Sequence, residues 1–161
     1  MAKELVRSNR FKNLTSARIL ANHWPMTKRY AVGVSIATLR KEFTQRRLSP
    51  VELMTAIFRQ MEKHNELLNA FIETYFDESL QQAHVAEQRF KTGQPRPLEG
   101  IPLSIKDSLD IEGRVTHCGS LLHAGNVATS DATCVRLFRE AGAIIVGKTS
   151  CPEFLMNYET D

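Results

Sequence analysis

The run Gly100-Ile101-Pro102-Leu103-Ser104-Ile105-Lys106-Asp107 sets the tightest limit on what this 161-residue chain can become. Its Ile and Leu positions, bounded by Gly and Pro, are those a buried strand would use, and such a strand carries Lys106 into or against the interior. Few lysines are found there unless they are paired or chemically employed. Burial disfavours the ammonium and turns lysine into a usable base near neutral pH. From this run alone the simpler reading is a strand that ends at a solvated Lys-Asp turn, so the choice falls to the rest of the chain.

With 42% hydrophobic and 24% charged residues, the chain has the composition of an ordinary water-soluble domain with one core. The net charge of +3 is unevenly placed: residues 1–30 hold seven Lys/Arg against the single acid Glu4, leaving 14 basic and 17 acidic residues for the remainder. These head charges are scattered rather than stacked. Residues 1–30 therefore read as a basic amino-terminal extension, expected to be disordered, and residues 31–161 as the folded part, with no nucleic-acid partner implied. Cys118, Cys134 and Cys151 lie far apart without a CxxC pair, which fits free thiols in a reducing compartment. His117-Cys118 and His123 lack the spacing of a zinc site, so neither metal nor cofactor is expected. No apolar run approaches a membrane span and the head has no secretory h-region, which points to the cytoplasm. Against a mitochondrial address for the Arg-rich head stand Glu4 and the Trp24-Pro25 break.

In chain order, Ile36, Leu39 and Phe43 repeat at helical spacing. Ser49-Pro50-Val51-Glu52 has the cap serine, first-turn proline and third-position glutamate of a capping box, predicting a helix to about Asn65 with Met54, Ile57, Phe58 and Met61 as its core stripe. Leu67 to Thr74 alternates like a strand. Asp77 is a candidate cap for a second helix through Leu80, Ala83, Val85, Ala86 and Phe90, stopped by Gly93 and the Pro95/Pro97 pair. Strand, helix and the Leu103–Ile105 strand then make a βαβ order, and ligand sites in such α/β domains lie outside the carboxyl ends of strands, where Lys106 falls. After an irregular stretch through Gly113, Gly119-Ser120 and Gly125-Asn126, Asp131-Ala132-Thr133 caps a third helix with Val135, Phe138 and Ala141 inward. Gly142 ends it, Ala143 to Val146 is a buried strand, and Ser150 with Glu153 predicts one more capped helix.

Gly142 to Thr149 reads G-A-I-I-V-G-K-T, which satisfies the letters of a phosphate loop. A phosphate loop needs a strand before its first glycine and a turn between the two. Here the residues between the glycines are themselves the strand, so a nucleotide binder is the weakest reading.

Taken together, Leu98-Glu99-Gly100-Ile101-Pro102-Leu103-Ser104-Ile105-Lys106-Asp107, Gly119-Ser120, Ser130-Asp131-Ala132-Thr133-Cys134-Val135, Glu140 to Thr149 and Pro152-Glu153-Phe154 resemble, in order and spacing, the amidase signature family. Leu48 to Leu53, Leu68 to Phe71 and Phe76 to Leu80 are similar to that family's first helix, first strand and second helix, so the resemblance covers about residues 35–161. It implies the amino-terminal portion of an α/β fold, a mixed β-sheet core covered by helices. It also implies hydrolysis of a carboxamide C–N bond, or transfer of the released ammonia, by a serine nucleophile, a bridging serine on a cis peptide bond, and a lysine. By the resemblance that lysine is Lys106, the general base, and the substrate is a small-molecule amide.

The family's two serines belong to a Gly/Ser-rich segment that follows the GKT region, and Asp161 precedes it. Ser104, Ser108, Ser120 and Ser150 have other contexts and none is assigned the nucleophile's role. Ser120 is a weak candidate for lining the site, against the plainer reading of a turn serine, and Asp107 is either a turn residue or a neighbour that serves Lys106. The expectation is a chain catalytically silent on its own, with sheet edges open to self-association. The alternative is a non-catalytic scaffold or interaction protein derived from an amidase.

Overall fold

The computed structural model describes residues 33–157, and the basic extension expected over residues 1–30 lies outside the described residues. Helix α1 spans Ile36–Thr44, with Ser35 capping Thr38 N–H. Helix α2 spans Pro50–Leu68 and opens on the complete capping box: Glu52 N–H donates to Ser49 Oγ at 3.1 Å and Ser49 N–H donates to Glu52 Oε2 at 2.9 Å. The helix outruns the expected Asn65 by one turn, so Leu67 and Leu68 are exposed helix-end residues rather than the start of a strand. Asn69 closes it with φ 48°, and the Asn65 amide clasps both N–H and C=O of Phe71 at 2.7 and 2.8 Å. That clasp turns the chain directly into strand β1, Phe71–Thr74.

Helix α3, Phe76–Lys91, has Tyr75 rather than Asp77 at its cap position, without a side-chain cap bond. Its inward line is Ser79, Ala83 and Ala86, whereas Val85 is exposed. These small side chains let α3 lie close on the sheet, and Ser79 Oγ donates to Ile145 C=O at 3.1 Å. Strand β2 is Pro102–Lys106, helix α4 is Thr133–Glu140 and strand β3 is Ile144–Thr149. Asp131 does not cap α4. Its carboxylate instead accepts Glu112 N–H at 2.8 Å and pairs with Arg139 at 3.2 Å, which fastens the preceding loop to the helix.

The sheet order is β1-β3-β2, with β1 antiparallel and β2 parallel to β3. This corrects the βαβ expectation around α3: β1 and β2 do not pair, and the parallel unit is β2-α4-β3. Two apolar layers cover the sheet. Ile144 and Val146 meet Met54, Phe58, Met61 and Ala83 from α2 and α3, so the Met/Phe stripe is core packing as expected. Ile145 joins Ile105, Ile111, Val135 and Tyr75 on the opposite side. Of the residues expected inward on α4, only Val135 is fully buried. The helix cap expected at Ser150 is not formed. Glu153–Leu155 is a 3-10 turn that starts after Pro152, and Ser150 N–H is used by Ala70 C=O at 2.9 Å.

Two close approaches fix where the strands lie. Gly142 follows α4 with φ +98°, and its C=O accepts Gly100 N–H at 3.0 Å. A Cβ there would sit 2.9 Å from Glu99 Cα. The same turn holds the buried Glu99 carboxylate, which takes Arg96 Nε at 2.6 Å and Nη2 at 3.0 Å. At Gly147 a Cβ would run into Glu73 C=O, with Phe71 Cδ1 and Thr74 Cα at 3.2 Å, so β1 and β3 keep their spacing only with glycine. Gly147→Ala should cost about 2 kcal/mol of unfolding free energy in urea titration. Glu99→Ala should cost about 2 kcal/mol in the same measurement, because Arg96 loses both carboxylate contacts in a partly solvated setting.

Candidate active site at the carboxyl ends of the parallel strands

Strands β2 and β3 end side by side, with Lys106 opposite Thr149, and Asp107 N–H donates to Thr149 C=O at 2.9 Å. A bulge lies just before this end. Leu103 pairs with Ile145 but Ser104 pairs with Gly147, so Val146 is an extra residue on β3. Because of it, Ile145 and Lys148, three apart, stand across from Leu103 and Ile105, two apart. Lys148 is thereby brought to the side occupied by Ile105, Ile111 and the long loop, rather than to that of Ile144 and Val146.

Lys106 is exposed and Ile105 is buried, as strict alternation along β2 requires. The expectation that the strand carries Lys106 into the interior is therefore corrected. Among the described residues β2 is an edge strand, and its last side chain has nothing packed over it. The buried lysine is Lys148, at 0% exposure. Its Nζ donates to Val115 C=O at 2.6 Å and Thr116 Oγ1 at 2.9 Å, and reaches Asp107 Oδ1 at 3.0 Å. Three acceptors match the three N–H bonds of an ammonium. Asp107, 1% exposed, also accepts His117 N–H at 3.2 Å and meets His117 Nδ1 at 3.2 Å through Oδ2. Asp107 C=O takes Cys118 N–H at 2.9 Å. Asp107 is thus a hub for the turn that follows Lys106, the role sequence reasoning left open between structure and service.

Sequence reasoning weighs His117 only for a zinc site and Lys148 only within the phosphate-loop pattern, and does not single out Thr116, although one signal for a buried Lys148 is present. It closes the apolar run Ala143 to Val146 as Lys106 closes Leu103 to Ile105. The glycines around that run drew attention to a phosphate loop instead. In the structure Ile144 to Val146, between Gly142 and Gly147, lie in β3 with their backbone engaged in the sheet, and Ala143 N–H is taken by Phe138 C=O, so these residues do not form a phosphate-wrapping turn.

Ser120 is buried. Its hydroxyl donates to Glu153 Oε1 at 2.7 Å and accepts Leu122 N–H at 3.3 Å at the head of the 3-10 turn Leu121–His123, so both bonds serve the loop. Cys118, Cys134 and Cys151 are unpaired. Burial pushes the Cys151 thiol up, with Asp107 and Cys118 adding to the effect and Lys106 and Lys148 opposing it. Cys151 is therefore a poor nucleophile at neutral pH. No helix among the described residues is long and apolar enough to cross a membrane.

Comparison with known proteins puts this arrangement in a family. Residues 52–161 match the family model described as Amidase. The chain is 40% identical over 125 residues to a glutamyl-tRNA(Gln) amidotransferase subunit from Aromatoleum aromaticum, across 78% of this chain and 26% of that protein. The peptide amidase of Stenotrophomonas maltophilia superposes with a TM-score of 0.70 at 31% identity, over 76% of this chain and 26% of the other. Fatty acid amide hydrolase shares the fold, with a TM-score of 0.76 at 24% identity over 88% of this chain and 26% of the other. The chain spans about a quarter of the length of these relatives. The family match includes the β2-α4-β3 unit that bears Lys106 and covers more than half of the chain, and the chain belongs to the amidase signature family.

Proposed function

We propose that this chain provides the lysine of a Ser-cisSer-Lys amidase that cleaves the C–N bond of a small-molecule carboxamide, with Lys106 as general base. The observation that carries the reading is the position of Lys106. It stands exposed at the carboxyl end of an edge strand, inside the matched residues 52–161, with a rigid hydrogen-bonded turn behind it. An amine held this way is available to a covering segment. In the proposed reaction that segment brings the bridging serine and the nucleophile, as the family resemblance implies. Covering the amine removes water from it and favours the neutral form. The neutral amine takes a proton through the bridging serine, and the nucleophilic serine attacks the amide carbonyl to form an acyl-enzyme. Backbone N–H groups hold the oxyanion. Residues 31–161 form the amino-terminal part of the amidase domain in this reading, and the unpaired cysteines fit a reducing compartment such as the cytoplasm.

A second reading, an amidase-derived interaction protein, draws on a different observation. The outer edges of β1 and β2 are unpaired within the three-stranded sheet, and Leu121, Leu122 and Met156 are more than four-fifths exposed. Light scattering separates the two: a stable, monodisperse species of the 161 residues that captures a defined partner favours the scaffold.

In a protein extended through the Gly/Ser-rich segment, Lys106→Ala should lower kcat for simple carboxamides by about 10³-fold. Full retained activity overturns the assignment. The 161 residues alone should release no ammonia from the same substrates, and turnover by them would refute the division of labour between Lys106 and the serines.

A further inference from the structure

Lys106 is followed directly by a carboxylate, and a carboxylate beside a general base is a handicap: an uncompensated negative charge holds the amine in its protonated form. The structure removes that handicap in a specific way. Asp107 is buried with Lys148 Nζ 3.0 Å from Oδ1, and Lys148 is itself fully enclosed, with its remaining donors taken by Val115 C=O and Thr116 Oγ1. We propose that Lys148 is a positioning residue for Lys106: its buried ammonium anchors the Asp107 turn on which Lys106 stands and cancels the one charge adjacent to the base. The inference rests on reading Lys106 as that base.

Each part of the device has a visible cause. The bulge at Val146 turns Lys148 toward the Asp107 side of the sheet. The register sets Ile105 opposite Lys148 and Lys106 opposite Thr149, so the two lysines are one register step apart on adjacent strands, with the Lys148 side chain on the Ile105 face and the Lys106 side chain on the exposed one. Asp107 cannot swing toward Lys106, because its oxygens are occupied by Lys148, by His117 N–H and by His117 Nδ1. The charged and titratable groups around the turn are Asp107 itself, Lys148 from β3, Cys151 from the segment leaving β3, and His117 and Cys118 from the loop. Lys106, Lys148 and Asp107 all act on the Cys151 thiol, which places them in one electrostatic neighbourhood. Asp107 and Lys148 are the directly paired opposite charges of that neighbourhood, 3.0 Å apart.

The test uses the 161-residue chain and does not depend on catalysis. Lysine carrying ¹³C at Cε is incorporated, the Lys106 signal is identified by its loss in Lys106→Arg, and its titration midpoint is followed by NMR at low salt. Asp107→Asn leaves Lys148 uncompensated and should lower the midpoint. Lys148→Met leaves Asp107 uncompensated and should raise it. Each shift should be on the order of 0.4 pH unit, the Coulomb effect of one unit charge close by but seen through water. Lys148→Arg and the double variant Asp107→Asn/Lys148→Met should return the midpoint to the parent value. A purely structural pair predicts shifts of the same sign in both single variants, and that result, or no shift in either, overturns the proposal. If Lys148→Met does not fold, Asp107→Asn decides alone: a fall supports the proposal, and a rise or no change overturns it. Opposite shifts together with an active Lys106→Ala enzyme would keep the charge compensation and discard the base assignment, so the two failures are distinguishable.

Discussion

A lysine with no exposed surface dictates much of this structure. The ammonium of Lys148 can stay inside only if each of its N–H bonds finds an acceptor and its charge finds an opposite, and a buried ion with one partner missing is among the costlier defects a domain can carry. Those acceptors come from three places: the residue after β2, a carbonyl in the long loop and a hydroxyl next to it. The demand of one ammonium therefore fixes where the chain goes after β2. The loop returns across the end of the sheet through Val115 and Thr116, and its own pairing, with Thr116 N–H on Asn126 C=O and Ala128 N–H on Arg114 C=O, closes it into a compact flap. A second tie holds the flap to the β1 edge on the same face of the sheet, where Arg114 lies over the Tyr75 ring at 4.3 Å and bonds Glu73 at 3.0 Å.

The neighbouring lysine is a contrast in environment. Lys106 and Lys148 end adjacent parallel strands, yet one is exposed and the other enclosed. The difference is positional: among the described residues β3 is the central strand with neighbours on both sides, and β2 is an edge. A side chain on the central strand inherits the cover of the layers above and below it. One at the end of an edge strand keeps its access to solvent and to whatever segment docks there. A protein with this arrangement holds a structural lysine and an available one within a few residues of each other, and the buried one works on the available one through Asp107.

Local chemistry was readable where short-range forces decide. The capping box at Ser49, the helical spacing of Met54, Phe58 and Met61, the stop at Gly93 and the terminator role of Gly142 follow from backbone donors, side-chain reach and steric freedom within a few residues. Cap positions without a strong side-chain bond were misread. Asp77 and Asp131 look like caps, but Tyr75 and Ala132 hold those positions, because the Asp131 carboxylate has a better use on Glu112 N–H and Arg139. Ile72 faces out and Phe71 inward because the Asn65 clasp, and not the apolar alternation, sets the phase of β1.

What the sequence by itself determined is the family, the order of helices and strands, and the location of Lys106 at a strand end, since all of these rest on local spacing and on a multi-segment pattern that is linear along the chain. What only the tertiary structure decided is which lysine is buried. Burial depends on the strand order β1-β3-β2, on one extra residue at Val146 that reverses the phase of β3, and on a carboxylate more than 40 residues away. None of these is a property of a window of sequence. Each arises when distant segments pack, and the cost of an unpaired buried charge then selects the one arrangement in which Asp107 and Lys148 meet.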